Sequence, residues 1–350
     1  GNNVPTTLLA LDKLGNVYFG TSRDEVYSLS PSGETRWKYE TDDAPYSLAI
    51  DDNDNIYATT EAFTLYSLTS DGKLRWTQQT GSGSTFLAIG YDGTIYAGND
   101  QGHVLAFTND GEFKWGKHIE EPIRSSPTIG KEGNVYFGAG KDIYALNPEG
   151  ELLWSVPTKG EIWASPSVNS DGMVYVASQD KKVYMIDTDE KFIGAHSERY
   201  IMPSSITIGE DGTLYLTAEE SEGKYLYAVG PKGGLKWKYK IGQVATTPPA
   251  IGADGTLYVS GGSIESDRGY LYALSPEGKL ISKYNTGSVM VEFSSPAICN
   301  DGTLYFASVK RTKSYGDIGI IYAFQTESYG LAASPWPKFG ADNQNTSRAR

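Results

Sequence analysis

Asp301-Gly302-Thr303-Leu304-Tyr305-Phe306-Ala307-Ser308 is a turn followed by a hydrophobic residue, a tyrosine and smaller residues, and the chain repeats this pattern from end to end. The tyrosine of the pattern recurs at intervals of 39 to 47 residues, at Tyr18, Tyr57, Tyr96, Tyr136, Tyr175, Tyr215, Tyr258 and Tyr305. A near-constant period of this length is typical of repeat proteins. The repeat therefore decides the fold class, ahead of any single motif.

The repeat at residues 123–156 shows what one unit contains. Residues 125–129, 134–138, 142–146 and 151–156 each predict a short strand, and Gly-containing turns separate them. A sheet of four such strands cannot bury both faces alone, but a ring of stacked sheets buries them. The sequence therefore predicts an all-β chain, a single-domain eight-bladed β-propeller of four-stranded antiparallel blades.

The repeats also give the blade boundaries. The blades are expected at about residues 4–40, 44–79, 83–118, 123–157, 162–195, 202–241, 245–285 and 292–340, with a tail at 341–350. Within the last blade, residues 331–340 are expected to supply the outer strand, with Trp336 in the place of the tryptophan that other fourth strands contain. No blade then shares strands from both termini, so ring closure is expected to depend on packing between sheets, helped by the polar tail.

Composition excludes several partners. The chain has 30 Lys and Arg against 43 Asp and Glu, a net charge of −13, which argues against nucleic acid and anionic lipid. Cys299 is the single cysteine, so no intrachain disulfide can form. No apolar run approaches the length of a membrane span, and we find no signal peptide. We therefore expect no transmembrane segment.

The fourth strands resemble a known family. Asp71-Gly72-Lys73-Leu74-Arg75-Trp76 and Glu149-Gly150-Glu151-Leu152-Leu153-Trp154 are similar to the tryptophan-docking repeats of quinoprotein-like propellers, which are named after pyrroloquinoline quinone. The stretches at 294–298 and 334–340 are also typical of that family. The resemblance implies that each tryptophan wedges between neighbouring blades and is structural.

The resemblance also raises the question of a cofactor. Enzymes of this family hold a quinone over the channel, a calcium ion on carboxylate and amide ligands, and an aspartate base, and many have a disulfide between adjacent cysteines. A single cysteine rules out that disulfide, and the short repeats lack long insertions that would enclose a quinone. We therefore expect neither pyrroloquinoline quinone nor calcium, no catalytic residue and no metal site. Non-enzymatic relatives include the lipoprotein scaffold of outer-membrane barrel assembly and ligand-binding sensor domains.

Other motifs for chemistry are weak. His103, His118 and His196 are the only histidines, none with metal-ligand spacing, and His103 is expected in a loop. Residues 51–55 superficially resemble a calcium loop. However, they align with the first hairpin turn of the other repeats and lack the glycine and distal glutamate of an EF-hand. Turn chemistry explains them better.

Blade geometry predicts which face of the ring carries the positions at which the repeats differ in sequence. Loops that enter the inner strands, and loops between second and third strands, emerge on one face, here called the mouth face, while the hairpin turns emerge on the opposite hairpin face. One position before each inner strand varies among the blades, namely Thr6, Pro45, Ser84, Arg124, Trp163, Pro203, Thr246 and Phe293. Arg124, Trp163 and Phe293 would form a basic and aromatic group suited to a sugar, an anion or a peptide.

The longest loops reach the same face, at residues 219–224, 261–269 and 309–319. The last of them contains Lys310, Arg311, Lys313 and Tyr315, a basic cluster on an otherwise acidic protein, and loops on a rigid scaffold often carry recognition. The candidate ligand-binding residues are Arg124, Trp163, Phe293, Thr246, Ser84, Lys310, Arg311, Lys313, Tyr315 and Arg268.

These features predict a non-catalytic binding or scaffold propeller that recognises a protein or a glycan on the mouth face. The resemblance implies a bacterial protein outside the cytoplasm, in the periplasm or at the cell surface, with a lipid anchor ahead of Gly1 as one option. We expect a monomer. The alternative is an enzyme, either a quinone-dependent dehydrogenase or a carbohydrate-active protein that uses acidic residues on the mouth face.

Overall fold

The computed structural model describes residues 4–81, 85–187, 192–197, 204–243, 247–263, 268–286, 295–310, 318–334, 337–338, 340–342 and 344–349. All regular structure within these ranges is β-strand. The strands are β1 (Ala10–Leu11), β2 (Val17–Thr21), β3 (Glu25–Leu29), β4 (Thr35–Glu40), β5 (Pro45–Ile50), β6 (Ile56–Thr60), β7 (Thr64–Leu68), β8 (Leu74–Gln79), β9 (Thr85–Ile89), β10 (Ile95–Asn99), β11 (His103–Phe107), β12 (Phe113–His118), β13 (Thr128–Ile129), β14 (Val135–Ala139), β15 (Asp142–Leu146), β16 (Leu152–Pro157), β17 (Ser167–Val168), β18 (Val174–Ser178), β19 (Lys182–Ile186), β20 (Phe192–Ser197), β21 (Thr207–Ile208), β22 (Leu214–Glu220), β23 (Gly223–Val229), β24 (Leu235–Gly242), β25 (Ala250–Ile251), β26 (Leu257–Ser263), β27 (Arg268–Leu274), β28 (Leu280–Asn285), β29 (Ala297–Ile298), β30 (Thr303–Lys310) and β31 (Ile318–Gln325).

Consecutive strands pair into eight antiparallel sheets, which confirms the eight-bladed β-propeller. Seven sheets have four strands, and the sheet of β29, β30 and β31 has three in the described part of the chain. In blade four, Ile129 faces Val135, Tyr136 faces Ala145, and Ala145 faces Trp154. This register puts the short first strand at the channel and the tryptophan strand at the outer edge.

The fourth-strand tryptophans dock onto the next blade, as the resemblance implied. The indole Nε1 of Trp115 donates a hydrogen bond of 2.8 Å to the carbonyl oxygen of Pro148 in the turn between β15 and β16. Gly150 in that turn has a φ of +84°, and a Cβ there would lie 2.6 Å from the Trp115 ring. Trp37, Trp76 and Trp237 make the equivalent hydrogen bonds to Ser70, Asn109 and Pro276. The glycine therefore leaves room for the ring.

The repeated tyrosines form the core between the sheets. All eight are between 0% and 4% exposed. Burial, the largest cause in each case, raises the pKa of every one of them, to about 12 at Tyr18, Tyr96 and Tyr215. The repeat motif is therefore structural, and its hydroxyl groups are held in the neutral form.

This burial predicts alkaline unfolding. Tyrosines in the unfolded chain ionise near pH 10, below the raised pKa of the folded state. Their contribution is therefore fully present below about pH 10 and is lost as the pH rises toward about 12. The guanidinium unfolding midpoint should fall steeply across this window while tyrosinate absorbance rises with unfolding. Full ionisation near pH 10 in a chain that stays folded would contradict the prediction.

The C-terminal segment departs from the expectation. Residues 331–340 were predicted to form the outer strand of blade eight, but their described part contacts blade seven instead. Leu331 forms a bridge with Gly252, and the amide of Ile251 donates to the carbonyl oxygen of Pro337 at 2.8 Å. Within the described residues, this stretch adds no fourth strand to blade eight, and Trp336 lies outside them.

After blade seven the tail crosses the channel near the hairpin face. The amides of Ile50, Ile89 and Ile129, each at the end of an inner strand, donate to carbonyl oxygens of Gln344, Thr346 and Ser347, all at 2.8 Å. The physical reason for the departure is that these strand ends have amides pointing into the channel, and buried amides require acceptors. The tail thus links blades seven, two, three and four.

Lys338 anchors the tail from inside. Its side chain is 0% exposed, and Nζ donates to the carbonyl oxygen of Asp342 at 3.0 Å and to Oδ1 of Asn345 at 2.7 Å. The Asn345 Nδ2 in turn donates to the carbonyl oxygens of Leu9 and Leu48. This network extends the connection to blade one.

Candidate functional site

A cavity of about 330 Å³ opens at the mouth face. Thr6, Arg124 and Trp163 lie at its rim, where the chain enters the inner strands of blades one, four and five. Gly340, Asn345 and Ser347 of the tail line its inner end. The tail therefore forms the floor of this mouth cavity.

The two sides of the mouth cavity differ chemically. Blades one to three contribute Leu8, Leu48, Leu87 and two aromatic residues, Tyr46 and Phe86, whose rings meet edge to face at 5.1 Å. The other side consists mainly of hydroxyl-bearing residues from blades four to seven, namely Ser126, Ser165, Ser204, Ser205 and Thr247. The cavity thus has an apolar wall and a hydroxyl wall.

The hydroxyl wall is held by a chain of bonds between blades. The amide of Ser126 donates to Oγ of Ser165, and the amide of Ser165 donates to Oγ of Ser205, both at 2.9 Å. A hydroxyl that accepts an amide keeps its own hydrogen to donate. This wall can therefore donate hydrogen bonds to an acceptor in the cavity.

Three rim side chains form a connected cluster. A nitrogen of the Arg124 guanidinium lies 2.9 Å from Oε2 of Glu161, and the indole of Trp163 donates to the same oxygen at 2.9 Å. The guanidinium also lies 5.7 Å from the centre of the Trp163 ring. Trp163 is nevertheless 48% exposed. An aromatic surface and a cation are thus presented together, which suits recognition of an apolar group beside an acid.

The structure brings some predicted site residues together and not others. Arg124 and Trp163 are in contact, and Thr6 lines the same cavity. The Thr6 hydroxyl donates a hydrogen bond to the carbonyl oxygen of Pro45. Arg268 begins β27 opposite Ser263, is exposed, and is not among the described lining residues. The backbone of Lys310 ends β30. The remaining predicted positions lie outside the described residues, namely Ser84, Pro203, Thr246, Phe293, Arg311, Lys313 and Tyr315.

Sequence reasoning missed the apolar wall. Tyr46 and Phe86 lie in β5 and β9, inside inner strands that were treated as uniform. A signal was present, because Leu48 and Leu87 stand where three other blades have a proline after a serine, at Pro127, Pro166 and Pro296. The inner strands of blades two and three therefore differ recognisably from those of blades four, five and eight, although blades one and six also lack the proline, with Leu9 and Ile206 at this position.

The predictions for His103 and for the acidic turn at residues 51–55 have different outcomes in the structure. His103 was expected in a loop, but it is the first residue of β11 and faces His118, with ring centres 4.6 Å apart. Asp51 accepts hydrogen bonds from the amides of Asn53 and Asn55, which is turn chemistry as predicted. In the described part of the chain, no group of three or more His, Cys, Asp or Glu residues could hold a metal ion.

The mouth cavity does not match the donor set of a calcium-bound quinone. Calcium takes six to eight oxygen ligands, usually including carboxylates. The described lining contains no carboxylate, and Glu161 beside it is already bound to Arg124 and Trp163. The described lining of the mouth cavity therefore does not fit that group. None of the described residues forms a helix long and apolar enough to cross a membrane.

Comparisons with known proteins agree on the fold. A family model described as outer membrane protein assembly factor BamB matches residues 22–148 and 100–192. No curated protein matches the sequence. The crystal structure of BamB from Moraxella catarrhalis has a TM-score of 0.71 at 19% identity, covering 93% of this chain and 97% of that chain.

Two enzymes share the architecture. A europium-containing methanol dehydrogenase has a TM-score of 0.68 at 11% identity, covering 98% of this chain and 86% of that chain. A streptogramin B lyase structure has a TM-score of 0.58 at 16% identity, covering 74% of this chain and 91% of that chain. An assembly factor, a dehydrogenase and a lyase thus have similar folds, so function has to be argued from the site.

Proposed function

Because this chain is a quinoprotein-like β-propeller built from repeats of the pyrroloquinoline quinone type, we propose that it is a non-catalytic scaffold that binds a protein partner on its mouth face. The observation that carries the proposal is the exposed cluster of Arg124, Glu161 and Trp163 at the rim of the mouth cavity. Tryptophan and arginine are the residues most enriched among interface hot spots. The matching family model, described as an assembly factor, supports a partner that is a protein.

The remaining properties follow the same reasoning. We place the protein outside the cytoplasm, because the matching family model is described as an outer membrane protein assembly factor. We propose that it acts as a monomer, without quinone or calcium. A glycan is the second candidate ligand, because an exposed tryptophan such as Trp163 also stacks well on a sugar ring. An enzymatic role has less support, since the described cavity lining contains no carboxylate to act as an acid or a base.

Photo-crosslinking can locate the partner. A photoreactive phenylalanine analogue in place of Trp163 should give a discrete protein adduct in cells that produce the chain. The matched control replaces Lys131, an exposed residue of a hairpin-face turn, and should give no such adduct. The same adduct from both positions, or an adduct only from Lys131, would count against the mouth face.

Replacing Arg124 and Trp163 together by alanine should weaken binding of that partner at least about tenfold, the usual effect of removing hot-spot residues. Both side chains are exposed, so the melting temperature should not change. Affinity can be measured by calorimetry, and unfolding by circular dichroism. Unchanged affinity would contradict the proposal, and a lower melting temperature would indicate that Arg124 and Trp163 have a structural role.

A further inference from the structure

The size of the mouth cavity limits what part of a partner can enter it. A volume of about 330 Å³ is at the lower end of the range for ligand pockets. The tail residues Asn345 and Ser347 close the inner end, so a segment cannot thread through at this point. The cavity therefore has room for a large side chain but not for a folded segment.

The apolar wall favours an aromatic side chain over a sugar. Tyr46 and Phe86 present ring edges and faces, and the leucines beside them complete an apolar surface. Asn345 supplies the one side-chain amide of the described lining. Its Oδ1 and Nδ2 are already bonded to Lys338, Leu9 and Leu48. A sugar would therefore find few free amide or carboxylate groups, whereas an aromatic ring would bury its surface.

Arg124 determines which chemical group of the partner is favoured beside that ring. Its pair with Glu161 is about half exposed on both sides, at 47% and 43%. Exposed pairs of this kind contribute little free energy, so a partner carboxylate can replace Glu161 at small cost. A guanidinium binds a carboxylate through two parallel hydrogen bonds. The rim therefore favours an acidic group close to the cavity opening.

The hydroxyl wall completes the match. Ser165 and Ser205 accept backbone amides through Oγ and keep their hydroxyl hydrogens to donate. A backbone carbonyl next to an inserted side chain could accept from this wall. Building on the proposed partner-binding function, we propose that the mouth cavity takes one aromatic side chain of the partner and that Arg124 binds an acidic residue adjacent to it.

Capped dipeptides test this pairing directly. The probes are acetyl-Asp-Phe-amide, acetyl-Asn-Phe-amide and acetyl-Asp-Ala-amide, with methyl glucoside as the sugar. Binding is followed through the indole N–H resonance of Trp163. Acetyl-Asp-Phe-amide should bind best, acetyl-Asp-Ala-amide at least about tenfold more weakly because the ring is missing, and acetyl-Asn-Phe-amide about threefold more weakly because the charge is missing.

Variants assign each preference to a site. Arg124→Gln should abolish the preference for Asp over Asn, while Lys131→Gln on the hairpin face should leave it unchanged. Ser126→Phe, which would fill the cavity, should prevent binding of all the dipeptides; a melting curve checks that this variant folds. If it does not fold, the comparison of Phe with Ala probes decides the question in the unmodified chain.

Several outcomes would overturn the inference. These are equal binding of the Phe and Ala probes, binding of methyl glucoside but not the dipeptides, or an Asp preference that survives Arg124→Gln. The proposed function can fail separately. A partner that crosslinks through Trp163 while no dipeptide binds would retain the scaffold and reject the aromatic anchor. Dipeptide binding without any protein partner would indicate a small-molecule site instead.

Discussion

Removing residues 331–350 is expected to lower the free energy of unfolding by about 6 kcal/mol, because the segment makes six backbone hydrogen bonds to blades two, three, four and seven and each contributes about 1 kcal/mol. The loss also exposes inner-strand amides in the channel and removes the buried side chains of Ala341 and Ala349, which are 0% and 1% exposed in the intact chain. Chemical denaturation of the shortened chain measures the change. No other strand or segment in the described structure joins these blades across the channel.

A single substitution tests the same segment without shortening it. Lys338→Ala leaves the carbonyl oxygen of Asp342 and Oδ1 of Asn345 without their buried donor, and should cost about 3 kcal/mol. Lys131→Ala, at an exposed turn on the hairpin face, is the matched control and should cost nothing measurable. If Lys338→Ala and the shortened chain unfold at the same denaturant concentration as the unaltered protein, the tail does not hold the ring.

Trp115→Ala is expected to cost about 3 kcal/mol, since it leaves a gap between blades three and four and removes the hydrogen bond to Pro148. Gly150→Ala should also destabilise, because its Cβ would collide with the Trp115 ring and its φ is positive. Trp163→Ala is the matched control, because this tryptophan is 48% exposed at the rim and should change stability by less than about 0.5 kcal/mol. Equal losses for Trp115 and Trp163 would contradict the distinction between docking and rim tryptophans.

The sequence was sufficient for the architecture because the structural information is repeated. Each blade has its own copy of a buried tyrosine, so the ring can still be predicted when one repeat departs from the pattern. Arg124 and Trp163 could be placed at the channel mouth for the opposite reason, because they stand where the copies disagree. Their mutual contact and the role of Glu161 depend on side-chain geometry that no repeat alignment contains.

The tail and the apolar wall show where sequence reasoning ended. The stretch Ser334-Pro335-Trp336 is similar to the repeat, so it suggested an eighth outer strand. The tail instead accepts hydrogen bonds from the amides of Ile50, Ile89 and Ile129. These residues belong to blades that are far away in the chain. Tyr46 and Phe86 were missed because an inner strand points residues both into the channel and into the sheet stack, and the sequence alone does not say which.

The central claim is that the mouth face, at Arg124 and Trp163, is the binding surface. Its most direct test is a titration of the indole-labelled protein with the partner identified by crosslinking, in which all tryptophan N–H resonances are followed together. We predict that the Trp163 resonance shifts first and most, while Trp37, Trp76, Trp115 and Trp237, which dock between blades near the hairpin face, stay in place. A shift of those docking tryptophans with Trp163 unchanged would contradict the claim.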